Sequence, residues 1–388
     1  MGVYMLKRSL SKKIIAILIT STVVGLLFRV LLFNFESSDY GFYLVDWMNK
    51  ISSVDGFQRF GVDVGNYTCP YLYFLALISF IPLNKLYLIK IFSCAFDFIL
   101  AIVSSYLTYE ITNDKTKSAF TYVTIILCPT VIVNSAMWGQ CDVIYVTFVL
   151  WSLLYLLKDK PCKSMLLFGL AFSIKLQSIF IAPLLLLLLI SKKIKIRHLF
   201  IIPFTYVSTC APAILAGRNP ISTLTVYLTQ GSSHKFLSAN APSLWGFTRD
   251  LDVNDSQIIT IISIMLAGAA VLFLLLYSAL KRKLSDDEMF DLACIFVIVI
   301  PFLLPRMHER YFYLSDILMI IYAFKYRKRW FVPVLTISSS LYCYLRYLYP
   351  TTVGLCPLVL GTIPMAISVV YLLFKFLGKN KTKSIEVI

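Results

Sequence analysis

The sequence predicts an all-α, polytopic integral membrane protein. Hydrophobic residues make up 59% of the 388 residues, and the mean hydropathy of +0.80 lies outside the range of soluble globular domains. Apolar stretches of about 20 residues, enough to cross a bilayer as a helix, recur along the chain. Between them, Lys and Arg occur in short clusters such as KRSLSKK, SKKIKIR and KYRKR.

The apolar stretches predict about 12 transmembrane helices. The stretch 164–190 is too long for one crossing and carries Lys175 and Gln177 at its centre. Because a charge is costly in the middle of a bilayer, we expect two short helices that meet near these residues. The predicted spans lie near residues 14–33, 87–109, 118–137, 140–157, 164–190 (as two helices), 199–216, 256–279, 287–305, 311–324, 329–348 and 352–376.

The stretch 70–83 has a different character, because it is short and lies between Pro70 and Pro82. Its length predicts an interfacial or re-entrant helix rather than a crossing. If this stretch does not cross the membrane, 24 of the 36 basic residues fall on one side, and the positive-inside rule predicts that this side is cytoplasmic. Both termini are then cytoplasmic, and a large extracytoplasmic loop, 34–86, follows the first helix.

Composition also excludes several classes of protein. The net charge of +16 comes from clusters between apolar spans rather than from one basic face, so we expect no nucleic-acid partner. The nine cysteines include no C-x-x-C pair and there are only three histidines, so neither a metal site nor a disulfide framework is predicted.

Six patches combine polar or ionisable side chains with aromatic rings, and the predicted topology places all of them on the outer side. Ionisable groups gathered in this way in a membrane protein indicate a functional site. The patches contain Asp39, Tyr40 and Trp47; Asn66 and Tyr67; Trp138, Gln140 and Asp142; Lys175 and Gln177; Arg306, His308, Glu309 and Arg310; and Trp245.

Each patch also has a simpler interpretation. Aromatic residues concentrate at membrane interfaces for amphipathic reasons alone. Asp142 could cap the helix that follows it, and Lys175 could extend to a lipid headgroup. Glu309 and Arg310 could pair with each other on a solvated turn.

The residue types within the patches complement one another chemically. Lys175, Arg306 and Arg310 supply positive charge suited to a phosphate, and His308 could donate to a phosphate oxygen. Asp39 supplies a base that could accept a proton from a hydroxyl group. A phosphate site with a carboxylate and aromatic rings at a membrane suggests sugar transfer from a lipid phosphate.

Several motifs resemble those of the GT-C superfamily of glycosyltransferases. DYGFYLVDWM followed by NYTCPYLY is similar to the first outer loop of these enzymes, and WGQCD, GLAFSIKLQSIF and MHERYF are similar to later blocks in the same order. The resemblance is to two branches: bacterial relatives of the second mannosyltransferase of GPI-anchor assembly, and the dolichyl-phosphate-glucose-dependent glucosyltransferases.

The resemblance implies the GT-C fold in a single transmembrane domain, 1–388. Residues 1–216 would form the catalytic module, and variable helices in 217–388 would complete the donor and acceptor sites. It implies an inverting, metal-independent transferase without cofactor, with Asp39 as base. His308, Arg310, Arg306 and Lys175 would bind the donor phosphate, and the other residues of the patches would bind substrate.

The expected partners are a polyprenyl-phosphate-linked sugar, a glycan or glycolipid acceptor, and membrane lipids. Mannose is favoured and glucose is second, in a bacterial plasma membrane first and an endoplasmic reticulum membrane second. The alternative is a transporter or flippase of lipid-linked saccharides, which predicts charges along the helix interiors and an internal repeat. Interior candidates are Arg29, Asp97, Asp316 and Arg346, and no repeat is evident. A structural scaffold would leave the outer carboxylates unexplained.

Overall fold

The computed structural model describes residues 11–229, 236–249, 257–280 and 284–385. Helices dominate it, as the sequence predicts. The chain forms two compact units, the first comprising Met1–Ser178 with Ile196–Gly231 and the second Ile179–Lys195 with Ser232–Ile388. The predicted division of one transmembrane domain at residue 216 stays a prediction.

The first half of the chain contains most helices of the first unit. The α-helices are α1 (Lys12–Leu31), α2 (Val45–Ser52), α3 (Cys69–Ser79), α4 (Lys85–Thr112), α5 (Lys115–Ile126), α6 (Pro129–Ile132), α7 (Asp142–Leu157), α8 (Pro161–Ile174) and α9 (Ala182–Ile190). Shorter turns of π-helix (Tyr40–Leu44, Val133–Met137) and 3-10 helix (Gly56–Gly61, Leu176–Ile181) connect them.

Helix α9 belongs to the second unit, the next four helices return to the first unit, and the rest of the chain belongs to the second unit. The α-helices of the second half of the chain are α10 (Ile196–Leu199), α11 (Ile201–Leu215), α12 (Pro220–Leu224), α13 (Val226–Thr229), α14 (Gly246–Arg249), α15 (Gln257–Ala279), α16 (Asp286–Leu303), α17 (Tyr313–Lys325), α18 (Phe331–Leu348) and α19 (Val359–Ile385). Its 3-10 turns are Glu309–Phe312, Arg327–Arg329 and Val353–Leu355.

The predicted all-α fold class is confirmed, with one short pair of strands among the described residues. Two strands of two residues each, β1 (Ser238–Ala239) and β2 (Met307–His308), pair in parallel in the second unit. A pair this short carries no alternating pattern that sequence could reveal.

Among the described residues, five helices are long and apolar enough to cross a membrane. A sixth span arises if Lys115–Ile126 and Pro129–Met137 count as one, although the two segments bend by 45°. The chain is therefore an integral membrane protein. The remaining predicted spans contain shorter or more polar helices, so 12 crossings stay a prediction. The five helices are Lys12–Leu31, Lys85–Thr112, Ile196–Leu215, Gln257–Ala279 and Val359–Gly378.

The predicted break within 164–190 is confirmed. Helix α8 ends at Ile174, Lys175 has extended backbone angles, and a 3-10 turn leads into α9. By contrast, the predicted span 118–137 is not one helix, because Pro129 starts a new helix after Cys128. A proline removes a helical hydrogen bond and clashes with the preceding turn, so it favours a new start over continuation.

The short helix near residues 70–83 is also present, as α3. Its 11 residues extend about 16 Å, roughly half the thickness of the hydrocarbon layer. Its position at an interface stays a prediction.

A buried ion pair joins three helices of the first unit. The Arg29 guanidinium donates from Nε to Asp97 Oδ2 at 2.8 Å, and from Nη1 to the carbonyl oxygens of Gly25 and Ile126 at 2.9 Å each. Both charged side chains are almost completely buried. Two of the four interior charges therefore neutralise each other and hold α1, α4 and α5 together.

Candidate active site

The segment that leads to Asp39 is held by a lysine from α4. Lys90 is fully buried, and its amine donates to the carbonyl oxygens of Leu32, Phe33 and Phe35 at 3.1, 2.9 and 2.6 Å. These carbonyls follow the end of α1, where helical partners are missing. Lys90 was not predicted as a site residue, although a lysine within an apolar helix was a signal for it.

The Asp39 carboxylate is held by two side chains from a distant part of the sequence. Its Oδ2 accepts hydrogen bonds from Trp138 Nε1 at 3.0 Å and from Gln140 Nε2 at 2.8 Å. The Ser37 hydroxyl adds a bond to the Trp138 carbonyl oxygen at 3.2 Å. Asp39 is half-buried, whereas Trp138 and Gln140 are buried. Three of the predicted site residues therefore meet in one place.

The backbone on both sides of this contact departs from α-helix. A π-helical turn, Tyr40–Leu44, begins directly after Asp39, and another, Val133–Met137, ends directly before Trp138. Such turns are rare and occur frequently at functional sites. Gly139 then adopts a φ of +77°, which a glycine accommodates without strain. This reversal lets Trp138 and Gln140 approach the same oxygen.

A second carboxylate, Asp142, has a different environment. It is fully buried, accepts a hydrogen bond from Asn134 Nδ2 at 3.1 Å, and forms an ion pair with the Lys175 amine. Asp142 is the first residue of α7, but Cys141 occupies the cap position. Neither the capping interpretation of Asp142 nor the headgroup interpretation of Lys175 describes these contacts.

Lys175 was predicted to bind the donor phosphate. In the structure its side chain is only 10% exposed and pairs with Asp142. A phosphate-binding role for Lys175 stays a prediction. Asn134 was not predicted, because an asparagine within an apolar segment carries no specific motif.

Aromatic rings connect the regions of Asp39 and Lys175. The ring centroids of Tyr67 and Trp47 lie 5.5 Å apart. The Lys175 amine nitrogen lies 5.9 Å from the centroid of the Tyr67 ring. Gly65 has a φ of +58°, and a Cβ atom there would lie 2.0 Å from the Trp47 ring. The Thr68 hydroxyl donates to the carbonyl oxygen of Ile174 at 3.1 Å, which connects the start of α3 to the end of α8. Trp47 and Tyr67 are therefore built into the site.

The remaining predicted residues of this unit differ in exposure. Asn66 is exposed and Gln177 is buried in the 3-10 turn after Lys175. Tyr40 is partly buried, and this burial, together with the negative charge of Glu36, raises the pKa of its phenol above the usual value. The Tyr40 hydroxyl therefore stays protonated at neutral pH and can donate a hydrogen bond.

The other two acidic residues near Asp39 lack such an environment. Glu36 and Asp46 are exposed, and Asp46 forms a surface ion pair with Lys50 at 2.8 Å. Such pairs contribute little to stability. Asp39 thus differs from these neighbours in its burial and in the hydrogen bonds from Trp138 and Gln140.

The basic patch predicted around His308 lies in the second unit, at the short strand pair. Strand β2 pairs Met307 with Ser238 and His308 with Ala239. Arg306 has a φ of +60°, and its amide donates to the Leu237 carbonyl oxygen at 2.7 Å. A left-handed backbone at a non-glycine residue is uncommon and costs free energy, which makes this turn a candidate for function.

Glu309 organises the ionic contacts of this patch. It is 1% exposed, its Oε1 lies 3.2 Å from Arg310 Nε, and its Oε2 lies 3.8 Å from His308 Nδ1. The Glu309–Arg310 pair considered from sequence therefore exists, but its carboxylate is buried rather than solvated. With Arg306 the patch carries more positive than negative charge, which suits an anion.

Trp245 supports the same region from another segment. Its indole Nε1 donates to the Leu303 carbonyl oxygen at 2.8 Å, and the Leu244 amide donates to the Phe302 carbonyl oxygen at the same distance. Both carbonyls belong to the end of α16, where helical partners are missing. Substrate binding by Trp245 stays a prediction.

The described residues include no group of three or more His, Cys, Asp or Glu side chains able to hold a metal ion. A metal-independent reaction stays a prediction that rests on the family resemblance.

Comparison with protein families identifies the kind of enzyme. The model of glycosyltransferase family 87 matches residues 66–305, more than half of the chain. The chain belongs to glycosyltransferase family 87. No curated protein matches it. Membership of this family confirms the predicted glycosyltransferase, and a GT-C-type membrane enzyme is consistent with it.

The family-87 match covers some of the candidate residues and not others. It includes Tyr67, the segment from Trp138 to Asp142, Lys175 and Trp245. It begins after Asp39 and ends before Arg306. The roles assigned to Asp39 and to the basic patch therefore rest on their geometry and on the motif resemblance.

Proposed function

We propose that the protein is a hexosyltransferase that uses a polyprenyl-phosphate-linked sugar. It transfers the sugar, with inversion, to a hydroxyl group of a glycan or glycolipid acceptor on the extracytoplasmic face. The observation that carries the proposal is the Asp39 carboxylate, half-buried in the outer loop and held on one oxygen by Trp138 and Gln140.

Asp39 acts as the general base. It accepts the proton of the acceptor hydroxyl as that oxygen attacks the anomeric carbon, and the bond from this carbon to the phosphate oxygen breaks. Trp138 and Gln140 are neutral donors, so they orient the carboxylate without cancelling its charge. Correct orientation of a base is worth several orders of magnitude in rate, because the reacting groups are already in place.

The basic patch of the second unit stabilises the departing phosphate. Negative charge grows on this group as the bond breaks, and positioned donors are most effective where charge develops. Arg306 and Arg310 can each offer paired N–H groups, and His308 adds a further donor. The buried Glu309 carboxylate orients Arg310 through the 3.2 Å contact.

The donor is proposed to be lipid-linked for two reasons. The chain is an integral membrane protein, and Asp39 lies in a loop that is predicted from the charge distribution to be extracytoplasmic. Nucleotide sugars are made in the cytoplasm, so they would not reach this loop. Mannose is the first choice of sugar and glucose the second. A bacterial plasma membrane is favoured over the endoplasmic reticulum membrane, and no cofactor is expected.

Transfer assays in nanodiscs test this proposal. The purified full chain is supplied with polyprenyl-phosphate mannose, polyprenyl-phosphate glucose or the corresponding nucleotide sugars, together with a mixture of membrane glycolipids as acceptors. We expect transfer from a lipid-linked sugar only. Arg310→Ala should raise KM for that donor, whereas Arg327→Ala, a matched control at an exposed position, should not.

Two results would overturn the proposal. Transfer from a nucleotide sugar without any lipid carrier would show the wrong donor class. Movement of an intact lipid-linked saccharide across vesicles, with no glycosidic bond formed, would favour the flippase alternative.

A further inference from the structure

A large apolar cavity lies in the first unit, away from the candidate active site. Its volume is about 560 Å³, within the range of about 300–1,000 Å³ that is typical of ligand pockets. Helices α1, α4 and α5 form its wall, and Lys158 at the end of α7 lies at its edge. Neither the sequence motifs nor the proposed sugar transfer uses this space.

Four hydroxyl groups of the wall form two hydrogen-bonded pairs. The Thr22 hydroxyl and the Tyr122 hydroxyl lie 2.9 Å apart, and the hydroxyls of Ser105 and Ser118 lie 2.8 Å apart. Because these groups satisfy one another, the wall presents mainly hydrocarbon. A polar small molecule would find few hydrogen-bond partners there, whereas an alkyl chain needs none.

The cavity is accessible from the side of the unit. Ile19, Val23 and Ile102 line it, yet they are 60, 49 and 47% exposed. Exposed aliphatic side chains on a membrane-spanning helix face lipid. A chain in the surrounding bilayer could therefore enter without crossing an aqueous phase.

One end of the cavity carries positive charge. The charged residues that line it there are Lys115, Lys158 and Glu110, and a Glu110 carboxylate oxygen lies 3.3 Å from the Lys158 amine. Helices α1 and α5 run in the same direction, since Thr22 meets Tyr122 and Arg29 reaches Ile126. Further lysines at the start of α1 and near the start of α8 extend the same region, and they outnumber the two further carboxylates there, Asp114 and Asp159; the lysines are Lys12, Lys13, Lys160 and Lys163.

This charged end is remote from Asp39. Lys90 of α4 binds the carbonyls just before Asp39, whereas the cavity is lined by residues 102–110 of the same helix. At 1.5 Å per residue the separation is about 18–30 Å along the helix axis. The cavity and the candidate base therefore belong to opposite ends of α4, and the cavity end is the one predicted to be cytoplasmic.

We propose that this cavity binds one acyl chain of an anionic phospholipid from the leaflet at that end. The chain fills the apolar space, and the phosphate lies near Lys115 and Lys158. A zwitterionic lipid offers the same chain without net charge, so charge complementarity favours the anionic one. Each lysine near an anionic headgroup contributes about fivefold in affinity. The inference does not depend on the sugar-transfer reaction.

Photo-crosslinking with matched lipids tests the site. The full chain is placed in nanodiscs that contain trace amounts of phosphatidylglycerol or phosphatidylcholine, both with the same diazirine-labelled acyl chain, and crosslinked peptides are mapped by mass spectrometry. We expect phosphatidylglycerol to label α1, α4 and α5 around the cavity at least about fivefold more than phosphatidylcholine.

Two variants test acyl-chain binding and headgroup binding separately. Ala119→Phe, which places a ring in the cavity, should reduce labelling by both lipids. Lys115→Glu should remove the preference for phosphatidylglycerol and leave phosphatidylcholine labelling unchanged, while Arg197→Glu, an exposed control of the same charge change that does not line the cavity, should preserve the preference. Thermal stability of each variant is measured to exclude unfolding.

Three results would overturn the proposal. Labelling spread evenly over exposed apolar helices would show that the cavity holds no particular lipid. Equal labelling by the two lipids would remove the headgroup contribution. Displacement of the probe by polyprenyl phosphate, but not by phosphatidylglycerol, would assign the cavity to the sugar donor.

Discussion

Two carboxylates of the first unit, Asp39 and Asp142, receive contacts from the same short segment, residues 134–140, yet their environments differ. Asp39 is half-buried and accepts hydrogen bonds from the neutral groups of Trp138 and Gln140. Asp142 is fully buried and pairs with the charged Lys175, with Asn134 as a second donor. The lysine compensates the charge of Asp142, whereas the indole and amide groups that donate to Asp39 carry no charge. From this difference we expect the Asp142 ion pair to matter for stability, and the chemical role of Asp39 remains our proposal.

The two environments also depend on each other. Asn134 donates to Asp142 through its side chain and accepts from the Gln140 amide through its carbonyl oxygen at 2.9 Å. The ion pair at Asp142 therefore fixes one end of the segment whose other end orients Asp39. The ion pair that holds Asp142 therefore also helps to position the groups that donate to Asp39.

The largest effect on stability is expected for Lys175→Ala. Removal of the amine leaves the Asp142 carboxylate buried and without its charged partner, which costs about 3–5 kcal/mol. Thermal unfolding in detergent should show a large decrease in Tm, and Lys160→Ala, at an exposed position just before the start of α8, should not. An unchanged Tm in Lys175→Ala would contradict a structural ion pair. The double variant Lys175→Met with Asp142→Leu should recover much of the loss.

A smaller effect, confined to activity, is expected for Gln140→Met. This change removes the Gln140 donor to Asp39 while keeping the side-chain length. Hydrogen bonds to charged groups are worth about 1.5–3 kcal/mol, so kcat should fall by about tenfold or more at similar Tm. Equal losses of kcat and Tm would show that Gln140 acts only in folding.

A still smaller effect is expected for Gly65→Ala, which tests the aromatic link between the two carboxylates. The positive φ and the contact with Trp47 should together cost about 1–3 kcal/mol. Gly41→Ala is the control, since a Cβ atom there meets nothing within 4 Å. Equal Tm values for the two variants would show that the Trp47–Tyr67 contact does not depend on the turn at Gly65.

Some of this arrangement follows from the sequence and some does not. The break at Lys175 was predictable, because a charged residue interrupts an apolar run too long for one crossing. The start of a new helix at Pro129 was missed even though the proline was visible, because hydropathy alone suggested one continuous span.

The contacts between these side chains could not be predicted from the sequence. Asp39, Trp138 and Gln140 were each predicted as site residues, but their contacts join positions about a hundred residues apart. Lys90 and Asn134 were missed because each acts through contacts that only the folded chain creates. The pairing of β1 with β2 likewise joins segments far apart in the chain.

The central claim is that Asp39 is the base, and the turnover of Asp39→Asn tests it most directly. Asparagine keeps the oxygen that accepts from Trp138 and Gln140, so Tm and donor binding should remain close to those of the native protein. Loss of the proton acceptor should lower kcat by about 10²- to 10⁴-fold. Glu36→Gln and Asp46→Asn, at exposed neighbouring positions, are the matched controls and should retain nearly full activity. Near-native turnover in Asp39→Asn would contradict the account, whatever the fold.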